Sequence, residues 1–383
     1  MLKYLVIQAI WLPDFKILQN EEEIKVIRRI YFILLMSMFA IFSLVNVSGL
    51  GQDLNTDAAL RMAIYFFTIF NFFIAQKKTS KITNTPRILF VLLVILIFEG
   101  SSTLGGHTGS GIIYLSFFIC IYLISLQEFK TEYLTYTAII YSVFGVGILL
   151  ILKYTTILHG WNPNSMAIIC FQSYMIFFAT LKTNNSIVRF IFYLLTIIYI
   201  SLLSMSDSRS AMICIVFAVL ICLKTDYLVK VLNKKGLLIV FLIIPLVIAL
   251  SVIILSNFEV VDILDQWSID TFSKGIFNGR DIIWLDGFKQ FAQKPLLGHG
   301  YINSGYWHNS AVACLYSYGL VGYIIYITLF YKILNSGADY LEDEIVRKSI
   351  LAFLILNFQQ SFENTLFVAG GIYLPYVLLG VFV

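Results

Sequence analysis

The chain has 383 residues, of which 59% are hydrophobic and 13% charged, with a net charge of +4. Its mean hydropathy is +0.87. An average soluble domain is about a quarter charged, so this composition excludes disordered, collagenous and disulfide-framework proteins and leaves no concentrated basic face for nucleic acid.

The expected fold is all-α and polytopic. Apolar runs between charged breaks give twelve spans, at roughly 30–47, 59–75, 88–100, 112–126, 134–152, 166–181, 190–206, 211–223, 237–256, 308–330, 349–366 and 368–383. The segment Met1 to Asp14 is apolar but lacks a small-residue cleavage site, so it reads as retained, with Trp11 at the membrane surface. Cys120, Cys170, Cys214, Cys222 and Cys314 all fall in apolar runs and read as buried small hydrophobes. The whole chain, 1–383, reads as one integral membrane domain.

Placing the N-terminus in the cytoplasm puts nineteen of the twenty-six Lys and Arg residues inside, among them Lys77, Lys78, Lys234 and Lys235. Six fall outside, and Arg61 lies within a span. The positive-inside rule favours this orientation. His107, His159, His299 and His308 then all face outward, as does the only long connector, 257–307, between spans nine and ten. A connector of that length within a compact bundle is usually a working one.

Within that loop Ile283, Trp284, Phe288 and Phe291 recur at helical spacing from Arg280 to Gln293. They predict an amphipathic helix on the outer membrane surface or against the bundle. Asn278 and Gly279 read as the preceding turn, and Pro295, Gly298 and Gly300 as the break that follows.

His308 stands at the mouth of the tenth span. An imidazole titrates near neutrality and can take a proton from a hydroxyl; the bland alternative is a solvated boundary residue. On a continuous helix Gly319 would share a face with His308, about 16 Å deeper at 1.5 Å per residue. Gly319 and Gly322 would then serve close helix approach rather than chemistry. Arg280 and Arg209, the latter between spans seven and eight, offer permanently charged forks matched to phosphate oxygens. Pairing with Asp281 and Asp207 is the alternative for each. Glu363, between two spans on the outer side, could orient His308, bind an acceptor sugar or simply be solvated. His299 is a weaker candidate in a glycine-flanked turn. The histidines lack zinc-site spacing, and Asp262, Asp265 and Asp270 match no EF-hand loop.

These residues resemble a known pattern. Ser208-Arg209-Ser210, Gly279-Arg280 with Trp284, Pro295-x-x-Gly298-x-Gly300, and His308-Asn309-x9-Gly319-x-x-Gly322 are similar to the O-antigen polymerase and O-antigen ligase superfamily of bacterial envelope glycan assembly. The motifs cover about 200–370, and the architecture of about twelve spans covers the chain. The resemblance implies a metal-independent membrane glycosyltransferase of the C-type fold, in the inner membrane with its site facing the periplasm. It needs no cofactor, and its donor is a glycan on undecaprenyl diphosphate. His308 would be the general base, and Arg280 and Arg209 would hold the diphosphate.

Polymerase and ligase differ in acceptor: the non-reducing-end sugar of another lipid-linked repeat unit, or the lipid A core. The Ile-, Asn-, Lys-, Phe- and Tyr-rich composition and the compact outer loop favour the polymerase, working with a chain-length regulator. A capsule or exopolysaccharide polymerase fits the same residues. A lipid-linked sugar transporter is the rival from another class. It would show internal repeats, broken helices near mid-membrane and buried charges there, and few of these are evident.

Overall fold

The structure, a computed structural model, describes residues 163–180, 186–203, 209–223, 235–272, 274–300 and 307–364. It also describes part of 139–150 and isolated positions between 26 and 63. Eight helices follow in chain order from residue 163: α1 Pro163–Thr180, α2 Ser186–Leu203, α3 Arg209–Leu223, α4 Lys235–Leu255, α5 Glu259–Phe272, α6 Arg280–Gln293, α7 Ser310–Ala338 and α8 Glu344–Gln359. The described residues contain no strand.

Six of the twelve expected spans fall on α1, α2, α3, α4, α7 and α8. The spans 30–47, 59–75, 88–100, 112–126 and 368–383 lie outside the continuously described residues, and 134–152 is described only in part. Among the described residues, Gly236–Leu255 and Ser310–Lys332 are long and apolar enough to cross a membrane. Several boundaries move, that of the tenth span most, since α7 runs on to Ala338. The span expected at 349–366 is helical from Glu344 and ends at Gln359, because Asp343 caps it by accepting from the N–H of Ile345 and Val346. The long outer loop holds α5 as well as the expected helix, which runs from Arg280 to Gln293.

Helix α8 is the hub, packed against α1, α3, α4 and α7. Its residues Ile350 to Asn357 are all buried. At the α1–α2 contact Tyr174 stacks on Phe192 and lies 5.2 Å, centroid to centroid, from Tyr199. The Thr196 hydroxyl donates to the Phe192 carbonyl, so it accepts from the Tyr174 hydroxyl at 2.9 Å. Each buried polar group thereby gains a partner, which its burial demands.

Two helix breaks shape the end of the bundle that carries the site. Pro245 in α4 has no N–H, so the Phe241 carbonyl loses its helical donor. The buried Asn357 side chain supplies the replacement, donating from Nδ2 at 2.9 Å, and accepts from the Tyr326 hydroxyl at 3.3 Å. In α7 the break is Gly319, with φ 66° and ψ −168°. That backbone region is open essentially only to glycine.

The Gly319 break frees the Tyr316 and Ser317 carbonyls and the Leu320 and Val321 amides. The loop 295–300 takes up all four. His299 N–H donates to Tyr316 at 2.8 Å and Gly300 N–H to Ser317 at 2.9 Å. Leu320 N–H donates to Pro295 at 2.8 Å and Val321 N–H to Leu296 at 3.2 Å. Two helical bonds are thus exchanged for four. Glycines are required on both sides of this latch: a Cβ at Gly319 would sit 2.3 Å from the Leu296 carbonyl oxygen, and one at Gly298 would sit 2.5 Å from the Ser317 backbone.

The break also changes depth. Ser310 N–H donates to the Gln360 carbonyl, while Tyr326 reaches Asn357 and Phe330 packs on Phe353. Sixteen residues of straight helix would advance about 24 Å, but Asn357 lies only about 4.5 Å along α8 from Gln360. The stretch Ser310 to Tyr318 therefore runs across the end of the bundle, and descent begins after Gly319. The expectation that Gly319 lies deep, on the same helical face as His308, is overturned. His308 itself lies outside α7, with φ 47°.

Candidate functional site

The site lies at the end of the bundle where α7 begins and α8 finishes, and it is built around Glu363. One carboxylate oxygen accepts from Arg280 Nη2 at 3.3 Å, and the other lies 3.4 Å from His308 Nδ1. One acid thus joins residues 83 and 55 positions away in the chain. Arg280 opens α6, directly after Asn278 and Gly279, whose φ values of 52° and 76° turn the chain into the helix. Its partner is Glu363, not Asp281.

Exposure separates the roles. Glu363 is 13% exposed and Arg280 22%, whereas His308 is 47% exposed. A carboxylate at Nδ1 holds the proton on that nitrogen and leaves Nε2 as the basic lone pair. Burial draws the Arg280 guanidinium below its ordinary value, Glu363 holds it up, and the charge on Arg209 lowers it further. The guanidinium stays protonated throughout. Arg209 is tied to the turn that leads into α6, five residues before Arg280. Arg209 opens α3 and donates to the Ser268 hydroxyl at 3.3 Å and to the Gly275 carbonyl at 3.1 Å. Asp207 lies outside the described residues.

The residues beside His308 fix its backbone. Asn309 is fully buried. Its Oδ1 caps α7 by accepting from the N–H of Ala311 and Val312, and its Nδ2 donates to the carbonyls of Pro245 and Ser361. One amide therefore ties the start of α7 to α4 and to the segment carrying Glu363. On the other side, Trp284 of α6 donates from its indole N–H to the Trp307 carbonyl at 2.7 Å. Ser310 donates to Gln360 Oε1 at 2.6 Å. His308 is thus pinned from α6, α4 and the end of α8.

Helix α6 packs against α4 and α7, with Trp284 and Gly287 buried and Ile283, Phe288 and Phe291 against the core, while Ile282 and Leu285 stay exposed. A Cβ at Gly287 would fall 2.5 Å from Val312 Cγ1. His299 stands apart from the charged group: its Nε2 lies 2.8 Å from the Gln290 carbonyl and its ring stacks on Tyr316 at 5.0 Å. Asp265 is engaged with Ile276 N–H and Asp270 with Gln266. The N-cap role of Asn309 was open to sequence reasoning, since an Asn before an apolar helix is a capping signal. Its Nδ2 partners, and the partnership of Asn357 with Phe241, carry no local signal.

Residues 194–327, roughly a third of the chain, match the protein-family model described as O-antigen ligase (Wzy_C). The matched segment holds Arg209, Arg280 and His308 and ends before Glu363. The match is consistent with the polymerase and ligase superfamily that the motifs resemble, a glycosyltransferase-like enzyme family. No curated protein matches the chain.

Proposed function

We propose that this chain is an O-antigen polymerase that transfers a glycan from undecaprenyl diphosphate to the non-reducing-end sugar of a second lipid-linked repeat unit. The reaction takes place at the periplasmic face of the inner membrane. The observation that carries this reading is the convergence of Arg280, Glu363 and His308, with Arg209 close by, at one end of an apolar bundle.

His308 Nε2 accepts the proton of the acceptor hydroxyl as its oxygen attacks the anomeric carbon. The bond from that carbon to the diphosphate oxygen breaks, and the lipid diphosphate leaves with the electron pair. The new imidazolium is stabilised by Glu363. Arg280 and Arg209 neutralise the departing charge. Attack from the face opposite the diphosphate inverts the anomeric configuration. A diphosphate is already a good leaving group, so positioning, charge neutralisation and one base suffice without a metal. Asn309 holds the backbone that presents the base, and His299 has its place in the latch rather than at the charge cluster.

The ligase reading uses the same residues with lipid A core as acceptor, and a capsule or exopolysaccharide polymerase uses them with other repeat units. The polymerase is preferred on the compactness of the outer loop and the Ile-, Asn- and Lys-rich composition.

The test is a deletion strain complemented with wild type or His308→Ala, with surface lipopolysaccharide resolved on a gel. The polymerase predicts core carrying a single repeat unit for the deletion and for the variant, at normal membrane levels of the variant. Bare core with lipid-linked polymer accumulating would assign the ligase instead. Unchanged chain lengths with His308→Ala would refute the mechanism. Transfer by the purified protein would exclude the transporter.

A further inference from the structure

Helix α5 is divided lengthwise into three faces. At 100° per residue, Val260, Ile263, Leu264 and Trp267 fall within about 100° of one another. All four are exposed, Ile263 at 70% and Val260 at 64%. Glu259, Asp262, Gln266 and Asp270 fall within about 80° of one another on the adjoining side, Asp270 only about 20° from Ile263. Between the two, Ser268 is buried and donates to the Lys274 carbonyl at 2.7 Å while accepting from Arg209. Asp265 on that same side accepts from Ile276 N–H at 2.6 Å.

Exposed apolar residues also run along α4, the helix that precedes α5. Val247, Leu250, Ile254 and Leu255 are exposed along a helix long and apolar enough to span a membrane. Only Ser256, Asn257 and the exposed Phe258 separate that helix from α5. At its other end α5 is clasped to Arg209, the first residue of α3. A helix that follows a membrane-length apolar helix after three residues, is tied to α3 through Arg209 at its other end, and leaves an apolar face exposed is built like one that lies on a membrane surface.

We propose that α5 lies in the membrane interface on the site side, with Val260, Ile263, Leu264 and Trp267 buried among the acyl chains of that leaflet. Its inner face then sets Arg209 through Ser268 and Gly275. The helix carries four acids and no Lys or Arg, so apolar burial holds it there rather than attraction to anionic headgroups. Docking is the same on neutral and anionic bilayers. The lipid is a resident environment here, distinct from any substrate.

The test uses the full chain in phosphatidylcholine vesicles, with Ile263→Cys or Asp262→Cys carrying a nitroxide and the identically treated wild type as blank. Collisions with oxygen, which concentrates in lipid, are compared with those of a water-soluble nickel chelate. Oxygen should win several-fold at position 263 and the chelate several-fold at position 262, with the same pattern after anionic lipid is added. Equal access of the chelate to both positions would place the stripe in water. Shielding of position 263 from both reagents would assign it to a protein partner or a second copy. Either result overturns the proposal.

Unlabelled Trp267→Phe provides an independent arm. The emission lost on this substitution should be the part that lipids brominated near the ester end of their chains quench. An unquenched difference overturns the proposal as well. Neither arm involves glycan transfer, so failure here and failure of the proposed activity are separable.

Discussion

At the scale of single residues, the site depends on a carboxylate shared between a base and a cation. Glu363 must be charged to serve both, because Arg280 and His308 each approach a different oxygen. Glu363→Gln can accept from only one of them and presents an amide N–H₂ to the other. It is expected to lower kcat by roughly 10²–10⁴-fold, the worth of a correctly placed general base. The protein should still enter the membrane and melt near the wild-type temperature. A single-turnover assay with lipid-linked donor would check it; wild-type kcat would show that Glu363 only fills space.

Arg280→Lys keeps the charge but loses the planar fork. Its expected defect lies in both kcat and donor KM, measured on purified protein. Near-normal turnover would argue against a diphosphate clamp. Burial works most against the charged Arg280, Glu363 offsets part of that cost, and the like charge of Arg209 adds a smaller one. That cost is what a bound diphosphate would relieve.

At the scale of elements, broken helices are repaired by their neighbours, and the repairs hold the site. Gly319→Ala must hold a side chain in a backbone region costing about 1–3 kcal/mol, and its Cβ would also meet the Leu296 carbonyl. The expected result is release of the loop 295–300 from α7, read as faster proteolysis near Lys294 and a lower Tm. Asn309 tests the other connection. Asn309→Ala removes a cap worth about 0.5–2 kcal/mol and strands the carbonyls of Pro245 and Ser361. Asn309→Asp keeps the cap but cannot donate to either carbonyl. Thermal unfolding in detergent should therefore rank wild type above Asp and Asp above Ala. Equal melting of Asp and Ala would mean that the cap adds nothing.

At the scale of the whole molecule, the proposed function carries an orientation that rests on the Lys and Arg count of the full sequence. Lys332, Arg347 and Lys348 gather where α7 ends and α8 begins, the end opposite His308. Lys348 is buried and paired with Glu344 at 2.7 Å. The proposed function puts this end, with its three Lys and Arg among the acids Asp339, Glu342, Asp343 and Glu344, in the cytoplasm and the site outside. Single cysteines at exposed Lys294 and Glu342 in intact cells would check it. An impermeant maleimide should label the first without permeabilisation and the second only after it. The reverse pattern would turn the molecule over.

The sequence by itself determined the class of environment, the six spans that fall on described helices, and which charged groups to look for. These are local or additive properties: apolar runs long enough to cross a bilayer, a Lys and Arg imbalance across it, and a helix from Arg280 to Gln293 marked by its periodicity. The sequence could name Arg280, Arg209 and His308 and offer Glu363 as one possible partner of His308, yet not decide among the alternatives or join Arg280 to the same acid, because partners 55 to 83 positions away leave no periodic trace. Only the tertiary structure decided that Glu363 joins two of them, that Asn309 and Asn357 stitch α4 to α7 and α8, and that Gly319 breaks a helix instead of packing one. The reason is that a broken backbone hydrogen bond must be made again somewhere. Where it is remade depends on which distant segment folding brings alongside.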